Sequence, residues 1–331
     1  MKIMVYEARP DERADLEKQA ALHGVELSVT DAVPTLENAS LAAGCIGVSI
    51  LGQGCIDAAL LDAYHALGIR YLSTRTIGYD HIDLDHARSI GLRVCSARYD
   101  PNGVADFTVM LILMCLRHYK QALWRGQVND FSLTGLQGRE MKDLTIGIIG
   151  TGRIGAQVAR NLSGFGCRIL AYDLRRNPAV EPQVTYVDFD TLLAQSDVIT
   201  LHMPLLDSNR HIINRESIAK MRDGVVIVNC SRGELADIEA LIEGIETGKI
   251  GALGMDTVEG DEGIIHADHR VDILPNRNWF YLHQFRNVIM TQHMAFYTDA
   301  AVSSMVDCGI GGICQMAAGE SCPTELTGPV Q

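Results

Sequence analysis

In the second half of the chain an arginine, a run of acids and a histidine each stand at the end of an apolar, β-branched run. Val228-Asn229-Cys230-Ser231-Arg232-Gly233 puts Arg232 just past one run, and Met255-Asp256-Thr257-Val258-Glu259-Gly260-Asp261-Glu262 puts four acids past the next. Thr291-Gln292-His293 puts His293 past the run Val288–Met290. Converging on one face of a nicotinamide, the three would suit hydride transfer to a 2-oxo acid. The guanidinium would hold the substrate carboxylate bidentately and polarise the ketone. His293 would give the ketone oxygen its proton, while a carboxylate keeps the imidazole charged and oriented. Taken singly, each has a plainer role. A strand-end arginine often pairs with a nearby acid, a lone histidine is usually a satisfied polar residue, and an acid-rich loop is often a solvated face. His266-Ala267-Asp268-His269 has no ordered ligand spacing, so no metal site is expected.

Such chemistry needs elements that carry a cofactor to these loops. Thr145-Ile146-Gly147-Ile148-Ile149 reads as a buried strand and feeds Gly150-Thr151-Gly152-Arg153-Ile154-Gly155, where a helical pattern opens. A second strand pattern ends at Asp173, 23 residues past Gly150. Strand, glycine turn, helix, strand and acid form the dinucleotide fingerprint in its required context. Gly150 permits the tight turn, Gly152 lets backbone approach a pyrophosphate, and Gly155 lets the helix lie close on the sheet. The helix N-terminus at Arg153 and Ile154 offers N–H groups to the phosphates. Asp173 would bind the ribose hydroxyls and repel a 2′-phosphate, so NAD is expected over NADP, with Arg175 and Arg176 nearby to soften that preference.

With 331 residues, 47% hydrophobic and 21% charged, the chain suits two domains with sizeable cores. Its formal charge of −13, without a basic block, argues against nucleic acid or an anionic membrane as partner. Small anions must then be caught by local cations. The nine cysteines are scattered, with no Cys-x-x-Cys pair, as expected of buried thiols in a reducing cytoplasm. A strand pattern begins at Lys2, so no signal peptide is expected, and no apolar run reaches a membrane span. Strand patterns at Ile3–Tyr6, Glu26–Val29, Ile46–Leu51, Arg70–Ser73 and Arg93–Cys95 alternate with helical ones at Pro10–His23, Ile56–Leu67 and Leu84–Ile90. This predicts a first parallel α/β unit without a glycine fingerprint. A long helix from Pro101 to about Arg125 is expected next, then the fingerprint unit, then an amphipathic helix beyond Asp299. Two α/β units suggest a crevice between domains as the small-molecule site.

Thr76-Ile77-Gly78-Tyr79-Asp80-His81-Ile82-Asp83, the Gly150–Gly155 loop, Cys230-Ser231-Arg232-Gly233, Asp256 and Gln292-His293 stand in one order along the chain. In that order the chain resembles the D-isomer-specific 2-hydroxyacid dehydrogenase family, in its D-lactate, D-2-hydroxyisocaproate and aryl-lactate branch. The resemblance implies two Rossmann-like domains with parallel sheets. A flavodoxin-like substrate domain, residues 1–100 and 299–331, would enclose an NAD-binding Rossmann domain, residues 101–298. It also implies a homodimer formed through the coenzyme domain and a cleft that closes on substrate. Arg232 matches the substrate-binding arginine and His293 the acid/base. Ile77 and Gly78 match amides that cradle the substrate carboxylate, Tyr99 a tyrosine near the substrate, and Phe296 an aromatic lining its side chain. His202, Met203 and Pro204 match the segment under the nicotinamide and adenylate, and Asp256 an acid near the carboxamide. Asn209, Cys230, Ser231 and, in a second role, His293 complete the implied cofactor set.

Two departures stand out. The orienting glutamate of the family, five residues past Asp256, is here Asp261, one methylene shorter, with Glu262 beside it. Gln292 replaces the usual proline before the histidine. Ser49-Ile50-Leu51-Gly52-Gln53-Gly54 carries no cation for a second substrate carboxylate and no tyrosine to narrow the pocket. With Phe296 and Tyr297 this predicts large apolar or aromatic 2-oxo acids, with pyruvate the alternative, since a methylene is worth only about 1–3 kcal/mol to a pocket. An NAD-sensing scaffold without enzymatic activity is the distant alternative, disfavoured by the full Arg232, Asp261 and His293 set.

Overall fold

The computed structural model describes residues 1–274 and 276–328. Its internal contacts divide the chain into one unit of Met1–Asp100 with the segment from Tyr297 onward, and another of Pro101–Phe296. In chain order the first unit contains β1 (Lys2–Val5), α1 (Arg13–His23), β2 (Glu26–Val29), β3 (Gly47–Ile50), α2 (Ala58–Ala66), β4 (Tyr71–Thr74), α3 (Leu84–Ser89) and β5 (Arg93–Cys95). The second contains α4 (Asn102–Leu116), α5 (Tyr119–Gly126), β6 (Thr145–Ile149), α6 (Arg153–Ser163), β7 (Arg168–Tyr172), β8 (Thr185–Tyr186), α7 (Phe189–Gln195) and β9 (Val198–Leu201). It continues through α8 (Arg215–Lys220), β10 (Val225–Asn229), α9 (Ile238–Glu246), β11 (Ile250–Met255), α10 (Arg277–Gln284) and β12 (Val288–Met290). The chain then rejoins the first unit as α11 (Asp299–Ala317).

In the first unit the parallel order β2-β1-β3-β4-β5 is the flavodoxin-like winding. Alternation along β1 sends Ile3 and Val5 into a core shared with α1 and α11, and Met4 into the core under α2. Two buried carboxylates set the loops at the strand ends. Glu7 accepts from the backbone N–H groups of Leu51, Gly52 (2.9 Å) and Gln53 (2.8 Å), which fixes the cation-free loop after β3. Glu12 receives the Arg75 guanidinium at 2.9 and 3.3 Å with both side chains fully buried, and Arg75 also donates to Ser49 Oγ and Tyr6 O. A buried pair is tolerated when its remaining donors are satisfied in this way. By length and composition α11 could cross a membrane, yet 56% of that window is buried within the fold, as befits a core helix.

The second unit has the parallel order β12-β11-β10-β9-β6-β7-β8, a Rossmann winding that reverses direction between β6 and β9. Its central strands are buried on both faces: Val226 and Val228 of β10 join the core under α4 and α6, while Val225 and Ile227 join that under α7 to α10. The single helix expected from Pro101 to Arg125 is two helices. His118 lies at φ +50°, and the Leu116 carbonyl accepts from Arg139 N–H at 3.1 Å instead of continuing the helical ladder.

Candidate active site

The reversal between β6 and β9 is where ligands bind in open parallel sheets. Gly150 follows β6 at φ +92°, and a Cβ there would stand 2.6 Å from His202 O beyond β9. A Cβ on Gly155 would stand 1.9 Å from Gly150 O, so only glycine lets α6 start so near the strand. Around Gly152 a Cβ would meet nothing within 4 Å, which leaves the N-terminus of α6 open to an anion. Asp173 braces this loop, accepting from Thr151 N–H (2.6 Å), Thr151 Oγ1 (3.1 Å) and Arg175 N–H (2.8 Å). Asn177 Nδ2 donates to Thr151 O at 2.8 Å, and the Tyr186 hydroxyl meets Thr151 Oγ1 at 2.8 Å. The sequence reading missed these two supports, which lie in a loop and an edge strand without a motif. His202 bonds Thr200 Oγ1 through Nε2 at 2.9 Å, while its buried Nδ1 has no hydrogen-bond partner among the described residues. Burial pushes the imidazole down to about 3, so it is neutral. Asn209 ties the following loop, donating to Pro204 O (2.8 Å) and accepting from Leu206 N–H (2.8 Å).

The three chemical stations follow the neighbouring strands β10, β11 and β12. Asn229 at the end of β10 accepts from Ser231 N–H (2.9 Å) and donates to Arg232 O (2.7 Å), folding the arginine loop into a turn. Ser231 Oγ donates to Met203 O at 2.5 Å, and Arg232 Nη1 donates to Ser231 O at 2.9 Å. A Cβ on Gly233 would fall 2.3 Å from Val258 C, so this loop presses on the acid loop after β11. Asp256, 1% exposed, turns its carboxylate onto the segment around the histidine. It accepts from Thr291 Oγ1 (2.6 Å), Met294 N–H (2.9 Å) and Ala295 N–H (2.8 Å). Between these donors His293 sits at φ +51°, a left-handed conformation that costs a non-glycine residue about 1–2 kcal/mol. Its ring lies 6.4 Å from that of Phe296, edge to face.

Residues 109–295 match the family model for the NAD-binding domain of D-isomer-specific 2-hydroxyacid dehydrogenases. The chain belongs to this family. It is 42% identical over 311 residues to an aromatic 2-oxoacid reductase of Clostridium sporogenes, covering 93% of each chain. The apo-structure of D-lactate dehydrogenase from Escherichia coli superposes with a TM-score of 0.87 at 36% identity, over 98% of this chain and 100% of that one. The NAD-complexed D-isomer-specific 2-hydroxyacid dehydrogenase of Lactobacillus delbrueckii does so with 0.85 at 30% identity, over 98% and 100%. The cofactor of this dehydrogenase is NAD, and the residues present fit it: an open helix N-terminus, a braced acid after β7 and an orphaned imidazole nitrogen beside the glycine turn.

Asp261 is partly buried, and its carboxylate accepts from Val258 N–H at 3.2 Å. Burial pushes this carboxyl up to about 6, and the charges of Glu234, Glu262 and Asp256 add to the rise. Glu262 beside it is exposed. His266, weighed in the sequence only for metal binding, stands next to His293 instead. Its ring centroid is 6.2 Å from that of His293, and its Nε2 meets His293 O at 3.3 Å. Tyr297, grouped above with Phe296, stacks in the first unit under Arg9, whose guanidinium lies 5.1 Å from the ring centroid. Within that unit Thr76 Oγ1 donates to Gly78 O at 2.7 Å, which shapes the turn bearing Ile77 and Gly78. Ala97 N–H donates to Thr76 O at 2.9 Å, linking the segment that leads to Tyr99 with the same turn.

Proposed function

We propose that this dehydrogenase reduces large apolar or aromatic 2-oxo acids to the (R)-2-hydroxy acids, with Arg232, His293 and Asp261 as its chemical set. NADH supplies the hydride when bound, and the reverse reaction returns it. Arg232 holds the substrate carboxylate and polarises the ketone, with Ile77 and Gly78 amides as further donors. His293 protonates the ketone oxygen, and Asp261 keeps the imidazolium in place. Asp256 acts from behind, holding the loop in which His293 sits. Gly150, Gly152, Arg153, Ile154, Gly155, Asp173, His202, Met203, Pro204, Asn209, Cys230 and Ser231 make up the coenzyme side, while Tyr99 and Phe296 border the substrate. The observation that carries the substrate reading is the loop after β3. It is held rigid by Glu7 and offers neither a cation nor a tyrosine. The name of the Clostridium sporogenes relative, an aromatic 2-oxoacid reductase, points the same way.

NADH oxidation with phenylpyruvate, 2-oxoisocaproate, pyruvate and 2-oxoglutarate tests the reading. One of the first two should exceed pyruvate in kcat/KM by about tenfold or more, the value of a methylene or two in a pocket. Chiral analysis should return the R product. A ranking led by pyruvate would instead favour a D-lactate dehydrogenase.

The same proposal includes a cytoplasmic homodimer. Trp124, Val128, Phe131 and Leu133, on α5 and the segment after it, are 64%, 71%, 78% and 83% exposed, a run of apolar side chains that a second copy would cover. Light scattering should give twice the 36.2 kDa chain mass, and Trp124→Glu with Phe131→Glu should shift it to one.

A further inference from the structure

A pair of thiols lies in the first unit where the tail after α11 returns to β5. Leu326 N–H donates to Val94 O (2.8 Å) and Ser96 N–H to Thr324 O (3.1 Å), while Arg93 holds Glu325 with bonds of 2.8 and 2.6 Å. A turn closed by Glu325 N–H on Cys322 O at 3.1 Å then brings Cys322 back beside Cys95. A Cβ on Gly312 of α11 would stand 2.7 Å from Cys95 Sγ and 3.5 Å from Cys322 Sγ, so glycine leaves the sulfurs their room. Both thiols are free.

We propose that Cys95 and Cys322 form a disulfide under hydrogen peroxide, a modification site that fastens the C-terminal tail to β5. The division of labour follows from their surroundings. Cys322 is 7% exposed and Cys95 fully buried, so a small oxidant meets Cys322 first. The neighbouring Cys95 thiol and the Thr324 hydroxyl, 3.6 Å away, hold the Cys322 thiol below its ordinary value and so favour its thiolate form. Cys95, raised by its thiol neighbour and by burial, keeps its proton. The Cys322 thiolate attacks one peroxide oxygen: an S–O bond forms, the O–O bond breaks, and the departing hydroxide takes a proton from solvent. Cys95 sulfur then attacks the sulfenic sulfur, forming the S–S bond and breaking S–O, and its proton leaves with that hydroxyl as water. Two thiols lose two electrons and peroxide becomes two waters. The joined segment continues through Ser96 towards Tyr99, and Cys308 Sγ donates to Arg98 O at 3.4 Å on the way, so the oxidised tail would stiffen the approach to that tyrosine.

The test is peptide mapping of the intact protein, treated with hydrogen peroxide and then N-ethylmaleimide, without reductant. The expected product is a Cys95–Cys322 cross-linked peptide, two hydrogens lighter than its parts and lost on adding dithiothreitol. It should vanish in Cys322→Ala and persist in Cys308→Ser, with NADH binding reporting that each variant is folded. Recovery of Cys322 as sulfinic acid with Cys95 uncrosslinked, or a bridge through Cys308 in its place, would overturn the proposal.

Discussion

Replacing His293 by glutamine should leave NADH binding intact and lower kcat for the 2-oxo acid by about 10²–10⁴-fold, the usual loss for a missing general acid. Glutamine keeps a polar side chain at this position but carries no titrating proton, so the loss reports proton transfer and not a hole in the packing. Binding is separable because the glycine turn, Asp173 and the orphaned His202 nitrogen lie around β6, β7 and β9, whereas His293 follows β12. NADH fluorescence titration beside steady-state kinetics distinguishes the two. Unchanged turnover would remove His293 from the mechanism.

The wild-type pH profile belongs to the same experiment. Asp261, lifted by burial to about 6, is charged only above that pH, so its support for an imidazolium fades as pH falls below about 6. An acid limb near pH 6 in kcat/KM is therefore expected, flattened in Asp261→Asn. The stability effect has the opposite sign. A raised carboxyl favours the fold while protonated, so its contribution is full below its ordinary 3.8 and declines as pH rises through about 6. Activity gained and stability lost over one pH window would mark the same group in both.

Residues whose task is set by local backbone were legible in the sequence. Gly150 and Gly155 are constrained by contacts of 2.6 and 1.9 Å that any side chain would violate, and such constraints leave a spaced glycine pattern. The strand-end stations were legible for a similar reason, since an apolar run ending in a polar loop announces its own exit from the sheet. What escaped depended on pairing at a distance. Glu7 sits 44 residues from Leu51, and nothing near it in sequence shows that its carboxylate caps that loop. His266 lies 27 residues before His293 and meets it only because the acid loop folds back. The break at His118 was hidden because helical periodicity resumes in α5, while its cause, the Arg139 N–H on Leu116 O, comes from 23 residues beyond Leu116.

Asp256 shows how much a sequence motif can understate. Its place beside the nicotinamide was suggested by resemblance, but its three acceptor bonds go to Thr291, Met294 and Ala295, which flank the histidine. Asp256→Ala would leave two backbone N–H groups and a hydroxyl unsatisfied in a site that is 1% exposed. At about 1–3 kcal/mol for each stranded group, and with incomplete additivity, the loss of stability should be about 3–5 kcal/mol. The same change frees a backbone that holds His293 at φ +51°, and relaxing that residue to ordinary values recovers about 1–2 kcal/mol, so the displaced imidazole is the favoured outcome once the brace is gone. Below the melting transition kcat should therefore fall by at least about tenfold, since misplacing a reacting group by about an ångström can cost 10²-fold. Asp256→Asn keeps one acceptor oxygen but turns an NH₂ towards the remaining donors, and should lie between the two in both Tm and kcat. A variant that melts earlier yet turns over at the wild-type rate would confine Asp256 to stability. A fall in kcat that follows the fall in Tm across Asn and Ala would make the carboxylate the part that holds the acid in its reactive pose.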